Sequence, residues 1–102
     1  MEGMELASFQ IIAAVGGARS SVMEALKDAR EGNYEAASAK LEEANQFLAE
    51  AHKGHTGLIQ KEAQGEQVPF SLLFMHAEDQ LMTTITLRDI AMEMIEMYKK
   101  IG

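Results

Sequence analysis

The sequence predicts an all-α protein, a three-helix antiparallel up-down-up bundle that forms a single domain over residues 1–102. Apolar residues recur every three or four positions along three long stretches, which is the spacing of an amphipathic helix. No stretch shows the alternating pattern of a strand, and the connections between the stretches are short and polar. Consecutive helices joined by short connections pack antiparallel, so these observations together indicate a bundle.

The first helix is expected over about residues 4–30. Its apolar stripe comprises Met4, Ile11, Val15, Ala18, Val22, Ala25 and Ala29. Gly32 follows the last periodic residue and suits a left-handed helix C-cap. Asn33 comes next and suits the N-cap of a second helix, which has Glu35 in its first turn.

Gly16 and Gly17 interrupt the first helix. Two glycines inside a helix cost about 2 kcal/mol relative to alanine. Two explanations for this cost stay open at the level of sequence. Either another helix approaches closely at this point, or the small residues leave room beside a reactive group.

The second helix is expected over about residues 34–63, with an alanine-rich stripe that allows close packing. The stripe consists of Ala37, Leu41, Ala44, Leu48, Ala51, His55 and Leu58. Residues 64–67 form the loop to the third helix. Pro69 suits the first turn of that helix, because its missing N–H has no helical partner there anyway. The third helix continues to about Lys100.

The third helix carries two apolar seams. The first contains Leu73, Ala77, Gln80, Thr84, Leu87, Ala91, Met94 and Tyr98, and the second contains Leu72, Met75, Asp79, Met82, Thr83, Thr86 and Ile90. Two seams imply two packing partners, so the bundle would bury one seam and an oligomer the other. Around a rotation axis the Asp79 carboxylates of all subunits would meet. Like charges held that close must take up protons or bind a cation, for which a hard divalent ion is suited.

Composition excludes several classes of protein. The chain has no cysteine, which rules out disulfides, thiolate catalysis and thiolate-bound metals. Its net charge of −7 disfavours nucleic acid and anionic membranes as partners, because both require a basic face. No apolar run approaches the ~20 residues that span a bilayer, and the N-terminus lacks the basic region of a signal peptide. We therefore expect a cytoplasmic protein without direct membrane insertion.

His76 lies in the third helix three residues before Asp79, so the two share nearly one face. From spacing alone it suits a core histidine, a metal ligand, a general base or a phosphoryl acceptor, and a core position is the simplest of these. The segment lacks a second histidine at metal-binding spacing, and no serine or cysteine partner for hydrolysis is evident. An acceptor needs only a neutral imidazole with one exposed nitrogen. His52 and His55, near the end of the second helix, are expected at an interface or on the surface.

One long segment carries a family resemblance. Residues 68–84, V-P-F-S-L-L-F-M-H-A-E-D-Q-L-M-T-T, resemble the signature S-L-L-L-V-H-A-Q-D-H/Q-L-M-T of the lactose/cellobiose-type enzyme IIA of the bacterial phosphoenolpyruvate-dependent sugar phosphotransferase system. Three further segments are similar to that family, namely G-G-A-R-S from residue 16, A-L-K-D-A-R-E-G-N-Y-E-A-A from residue 25 and E-A-H-K-G-H-T-G-L-I-Q-K-E-A from residue 50. The resemblance spans nearly the whole chain and favours the acceptor interpretation of His76.

The resemblance implies a homotrimer of three-helix bundles with a defined chemistry. It implies that His76 accepts a phosphoryl group from the phosphocarrier HPr and passes it to a cysteine of the cognate enzyme IIB during uptake of a β-linked disaccharide of the cellobiose or lactose type. It also implies that Asp79 lies at the trimer centre and binds one divalent metal ion per trimer, usually Mg²⁺. Gly16, Gln80 and His52 fall within the matching motifs and are expected to support the site.

Two residues depart from the family pattern. Glu78 replaces the glutamine that usually follows H-A, and it adds a negative charge next to the acceptor in sequence. His55 replaces the glutamine of H-x-x-Q-T, so it would orient the site only with the right tautomer. Two other interpretations remain open, a different histidine phosphotransfer bundle and a non-catalytic trimeric helical adaptor or chaperone. The first usually carries a basic residue soon after its histidine, and none occurs here before Arg88.

Overall fold

Three long helices account for most of the chain in the computed structural model, which describes residues 3–68 and 70–102. They are α1 (Gly3–Arg30), α2 (Tyr34–Ala63) and α3 (Leu72–Ile101), and no strand occurs within those described ranges. The helices run up, down and up in a bundle about 53 Å long. The predicted all-α class and the antiparallel order of the helices are confirmed.

The turn between α1 and α2 forms as the sequence predicts, with one difference. Gly32 adopts a left-handed φ of +85°. Its N–H donates to the carbonyl of Ala29, and the N–H of Asn33 donates to the carbonyl of Asp28 over 2.8 Å, which is a Schellman C-cap. Asn33 occupies the N-cap position of α2, but its side chain makes no capping hydrogen bond in the described structure. The expectation that Asn33 caps the helix through its side chain is therefore wrong.

The start of α3 lies later than the sequence suggests. Pro69, placed by the sequence in the first helical turn, lies outside the described residues, and the helix begins at Leu72. Ser71 is extended, with φ −146° and ψ 119°, and its hydroxyl accepts a hydrogen bond from the N–H of Phe74 over 3.1 Å. A serine N-cap satisfies an amide that has no helical partner, so it sets the first turn of α3.

The core is built mainly around α1, which packs along both other helices, whereas α2 and α3 touch each other much less. Small side chains at the interfaces allow this close approach. The main cluster of buried residues contains Ile11, Val15, Ala18, Val22, Ala44, Leu48, Ala51, Ala77, Leu81 and Ala91, and a smaller one at the other end contains Ala25, Ala29, Ala37 and Ile95. The first seam of α3 faces this core, since Ala77, Thr84 and Ala91 are buried.

Within the described residues, α1 is the helix that is long and apolar enough, by length and composition, to cross a membrane. Glu5, Arg19 and Glu24 interrupt α1, so it contains no unbroken apolar run of ~20 residues. The core helix of a soluble protein passes the same test, and α1 buries a continuous stripe from Ser8 to Ala29 against its neighbours.

Candidate functional site

His76 lies on the surface in the second turn of α3. The neighbouring Ala77 and, one turn further, Leu81 are both 0% exposed and hold this part of the helix against the core. Because successive helical residues point about 100° apart, the anchoring of Ala77 turns the imidazole of His76 outward. The core position that spacing alone left open for His76 is excluded in the single chain, and its side chain is exposed, as an acceptor requires.

The apolar side chains around His76 differ in part from the expected set. We expect Phe74, Met75 and Met82 to surround the ring, but Phe74 packs against the main core cluster instead. Met75 and Met82 are exposed, on the outer face of the helix. The residue one turn before His76 is Leu72, which is 75% exposed. The imidazole therefore borders an open apolar surface.

Gln80 lies one turn after His76, on the same flank of α3, and is partly buried. Residues four apart on a helix are neighbours, so its amide is placed to contact the imidazole or a group bound to it. The support of His76 by Gln80 stays a prediction, with the two residues on one flank of α3.

Asp79 lies on the exposed second seam of α3, between Met75 and Met82. The backbone carbonyl of Asp79 accepts a hydrogen bond from Thr83 Oγ1 over 2.8 Å. Over the described ranges 3–68 and 70–102, no three histidine, aspartate or glutamate side chains converge on one metal position. A site at Asp79 would therefore need carboxylates from further copies of the chain. The exposed position of Asp79 on an apolar stripe fits such a shared site.

His55 and Glu78 face each other across α2 and α3. His55 Nδ1 contacts both carboxylate oxygens of Glu78, and the two side chains are 22% and 19% exposed. An ionised carboxylate only accepts hydrogen bonds, so with Glu78 in that form the contact requires the tautomer of His55 that carries a proton on Nδ1. The two departures from the family pattern are thus partners of each other.

The carboxylate of Glu78 is not beside His76 in the structure, although the two residues are close in sequence. Residues two apart on a helix point about 200° apart, so Glu78 and His76 lie on opposite flanks of α3. Glu78 is adjacent to the candidate acceptor in sequence, but its carboxylate is directed toward His55. The extra negative charge is therefore held on the α2 side of the helix.

His52 lies on the same side as His55, and the centroids of the two rings are 5.6 Å apart. His52 Nδ1 and Thr56 Oγ1 are 3.0 Å apart in a hydrogen bond. His52 lines a groove of about 390 Å³ between α2 and α3 together with Asn45, Leu48, Ala49, Ile85 and Arg88. This is the Glu78 side of α3, so within one chain His52 does not join His76.

Gly16 and Gly17 have different environments. A Cβ built on Gly17 would lie 2.9 Å from the ring of Phe47 on α2, whereas one built on Gly16 meets no atom within 4 Å in the described part of the chain. Close helix packing therefore explains Gly17. Gly16 is exposed, and packing within the chain does not explain it.

Two contacts between helices were not anticipated from the sequence. Arg88 Nη1 donates to Asn45 Oδ1 over 3.1 Å, and His55 pairs with Glu78. The sequence spacing is consistent with both contacts when α2 and α3 are aligned antiparallel. Asn45 precedes His55 by ten residues and Arg88 follows Glu78 by ten, so one alignment of α2 with α3 places both pairs.

The fold and this site define a small three-helix bundle with an exposed imidazole at its surface. Residues 6–99 match the family model described as PTS system, Lactose/Cellobiose specific IIA subunit. A lactose-specific EIIA component from Lactococcus lactis subsp. lactis is 46% identical over 99 residues, which cover 97% of this chain and 94% of that protein. The chain belongs to the lactose/cellobiose family of phosphotransferase-system enzyme IIA subunits.

Solved structures agree with this assignment. The crystal structure of the cellobiose-specific enzyme IIA from Bacillus anthracis matches with a TM-score of 0.94 and 42% identity, covering 99% of this chain and 93% of that one. The IIA(chitobiose) chain of the Escherichia coli phosphotransferase system, solved in solution in complex with HPr, matches with a TM-score of 0.85 and 35% identity, covering 99% and 98% of the two chains.

Proposed function

We propose that this chain is the cytoplasmic phosphocarrier of a sugar phosphotransferase system and that His76 carries the phosphoryl group. The observation that supports this most directly is the exposed imidazole of His76, presented from a capped helix in a chain of the enzyme IIA family. A neutral imidazole is a nucleophile near neutral pH. The proposed donor is phospho-HPr, a partner suggested by the solution complex of a IIA relative with HPr.

The chemistry is an in-line transfer between two nitrogen atoms. A lone pair on a ring nitrogen of His76 attacks phosphorus as the bond from phosphorus to the donor histidine breaks. The transition state is loose, so positioning and partial exclusion of water are the main contributions of the protein. Docking of HPr over the exposed His76 would shield the phosphoryl group from water.

The second half of the proposed cycle passes the phosphoryl group from His76 to a cysteine of the cognate enzyme IIB. The nitrogen–phosphorus bond breaks as a sulfur–phosphorus bond forms, and the imidazole of His76 returns to its starting state. The transported sugar is a β-linked disaccharide of the cellobiose or lactose type. The named relatives differ in sugar, with lactose, cellobiose and chitobiose all among them.

The working form that we propose is a homotrimer in which the second seam of α3 is buried. Leu72, Met75, Met82 and Ile90 on that seam are all exposed in the single chain. Three Asp79 carboxylates would then meet on the axis and hold one divalent cation, with Mg²⁺ suited to oxygen ligands. The ion would offset two of the three negative charges and so reduce the repulsion between the subunits. Gly16, Gln80 and His52 are proposed as supporting residues.

A phosphorylation assay tests the proposal. The protein is incubated with enzyme I, HPr and labelled phosphoenolpyruvate, and peptide mass spectrometry locates the label. We expect an acid-labile phosphate on His76 that is absent from His76→Ala, whereas His52→Ala, which removes only a supporting residue, should still be labelled on His76 at a lower rate. Label that persists in His76→Ala would refute the site. A wild-type protein that takes no label would favour the alternative, a non-catalytic trimeric helical adaptor or chaperone.

A further inference from the structure

We infer that His55 and Glu78 form a clasp between α2 and α3 that positions His76 for phosphoryl transfer. The inference rests on the proposed function, because it concerns how the acceptor is held. His55 and Glu78 are positioning residues, since neither lies on the flank of α3 that presents His76.

The clasp lies where other contacts between α2 and α3 are sparse. Both helices pack mainly on α1 and touch each other along a small part of their length. Among the described residues, three side-chain links join the two helices: His55 with Glu78, Asn45 with Arg88, and Tyr34, whose hydroxyl donates to the carbonyl of Tyr98 over 3.1 Å. Ten residues separate the first two links along each helix, which is about 15 Å at the helical rise, and the third lies about as far again from the second. The His55–Glu78 link is the one within the turns of α3 that carry the candidate acceptor.

The clasp opposes rotation of α3 about its own axis, in addition to the contacts that α3 makes with the core. Ala77 and Leu81 fix the distance between α3 and α1, because both are fully buried. Phe74 and Leu81 pack on the core and oppose rotation of α3 about its own axis, whereas the small side chain of Ala77 adds little resistance. A link on the side of the helix, at Glu78, opposes that rotation directly.

Rotation matters because His76 points outward from the axis. For a side chain about 6 Å from the helix axis, a rotation of about 10° displaces the reacting nitrogen by about 1 Å. A displacement of that size lowers the rate of a positioned reaction by up to about 100-fold. The single N–H of His55 Nδ1 is shared between the two oxygens of Glu78, so the clasp is one three-centre hydrogen bond, strengthened by charge when the carboxylate is ionised.

The test compares phosphoryl uptake from phospho-HPr by the full-length chain and its variants. The set contains His55→Ala, Glu78→Ala, the double alanine variant, the exchange His55→Glu with Glu78→His, and the amide pair His55→Gln with Glu78→Gln. We expect each alanine variant to lower the maximal rate about ten- to 100-fold at an unchanged KM for phospho-HPr, and the double variant to be no slower than the singles. The exchange and the amide pair should return the rate to within about threefold of the wild type.

A matched control is Asn45→Ala, which removes the second link between α2 and α3 at a distance from His76. It should reduce stability about as much as His55→Ala but leave the maximal rate within about twofold. Effects of His55→Ala and Glu78→Ala that multiply in the double variant, or a lack of rescue by both paired variants, would overturn the clasp. Because wild-type labelling at His76 is measured in the same assay, an unlabelled wild type would instead overturn the proposed function, and the positioning role with it.

Discussion

The ring of Phe47 on α2 occupies the position where a side chain on Gly17 would begin. A Cβ on Gly17 would stand 2.9 Å from Phe47 Cε1 and Cζ, and Phe47 itself packs against the main core cluster. Gly16, one residue earlier, has open space. Two adjacent glycines in one helix thus have separate explanations, and the difference can be measured.

Alanine substitutions at the two glycines should have different effects on stability. Gly16→Ala should raise the free energy of unfolding by about 0.5–1 kcal/mol, because alanine favours the helix and meets no atom there. Gly17→Ala should lose that gain, because Phe47 has to move, and it should be less stable than Gly16→Ala by at least about 1 kcal/mol. Urea unfolding followed by circular dichroism measures both. Equal stabilities would show that Phe47 yields without cost.

A large side chain at Gly16 should separate folding from function. Gly16→Leu should keep the helical content of the wild type, since the position is exposed and free of contacts in the described structure. It should nevertheless abolish phosphoryl acceptance, if the small residue leaves room for the phosphoryl group or its donor. The labelling assay and circular dichroism together decide the matter. Loss of both label and fold would leave Gly16 with a packing role alone.

The sequence predicts the helices better than their ends. The bounds of α2 and the left-handed Gly32 are read correctly, because helical periodicity and glycine at a C-cap are local signals. The predicted start of α3, with Pro69 in the first turn, is too early, because both a proline and a serine suit a helix start and the observed cap is Ser71. Asn33 shows the converse case, a good capping residue whose side chain is not used.

Local sequence patterns do not predict that His76 is exposed. Leu72, Met75 and His76 lie together in an apolar segment, which suggests burial, yet all three are exposed in the single chain. Periodicity identifies a second apolar seam but does not show whether this chain or another covers it. The pairing of His55 with Glu78 likewise depends on how α2 and α3 align, and the periodicity within one helix does not give that alignment.

The two helix starts offer a direct comparison of capping. Ser71→Ala should lower the free energy of unfolding by about 1 kcal/mol, because the N–H of Phe74 loses its acceptor. Asn33→Ala should cost clearly less, because the side chain of Asn33 makes no cap bond in the described structure. Denaturant midpoints compare the two. Equal losses would mean that Asn33 caps α2 in solution after all.

Replacement of Thr84 by a residue of the same shape without the hydroxyl should stabilise the protein. Among the described residues its Oγ1 is buried without a hydrogen-bond partner, in a side chain that is 1% exposed. Thr84→Val keeps the shape and removes the unsatisfied group, so it should raise the free energy of unfolding by about 1 kcal/mol. Thr84→Ser, which keeps the hydroxyl and loses the methyl group, is the matched control and should be destabilising. A destabilised valine variant would indicate that a water molecule satisfies the hydroxyl.

The exposed seam of α3 predicts how association responds to charge. Ile90→Glu places a charge on the apolar stripe and should convert the proposed trimer to monomer without loss of helix, because Ile90 is 53% exposed in the single chain. Asp79 acts on the same association through its carboxylate. In the wild type, removal of divalent ions with a chelator leaves three like charges on the axis and should weaken association.

Asp79→Asn removes those charges while it keeps the size of the side chain, so its trimer should form equally well with and without the chelator. Sedimentation equilibrium measures the assembly of each variant in both conditions. A wild type that is monomeric throughout, or an Asp79→Asn trimer that still dissociates on chelation, would contradict a shared cation at this residue.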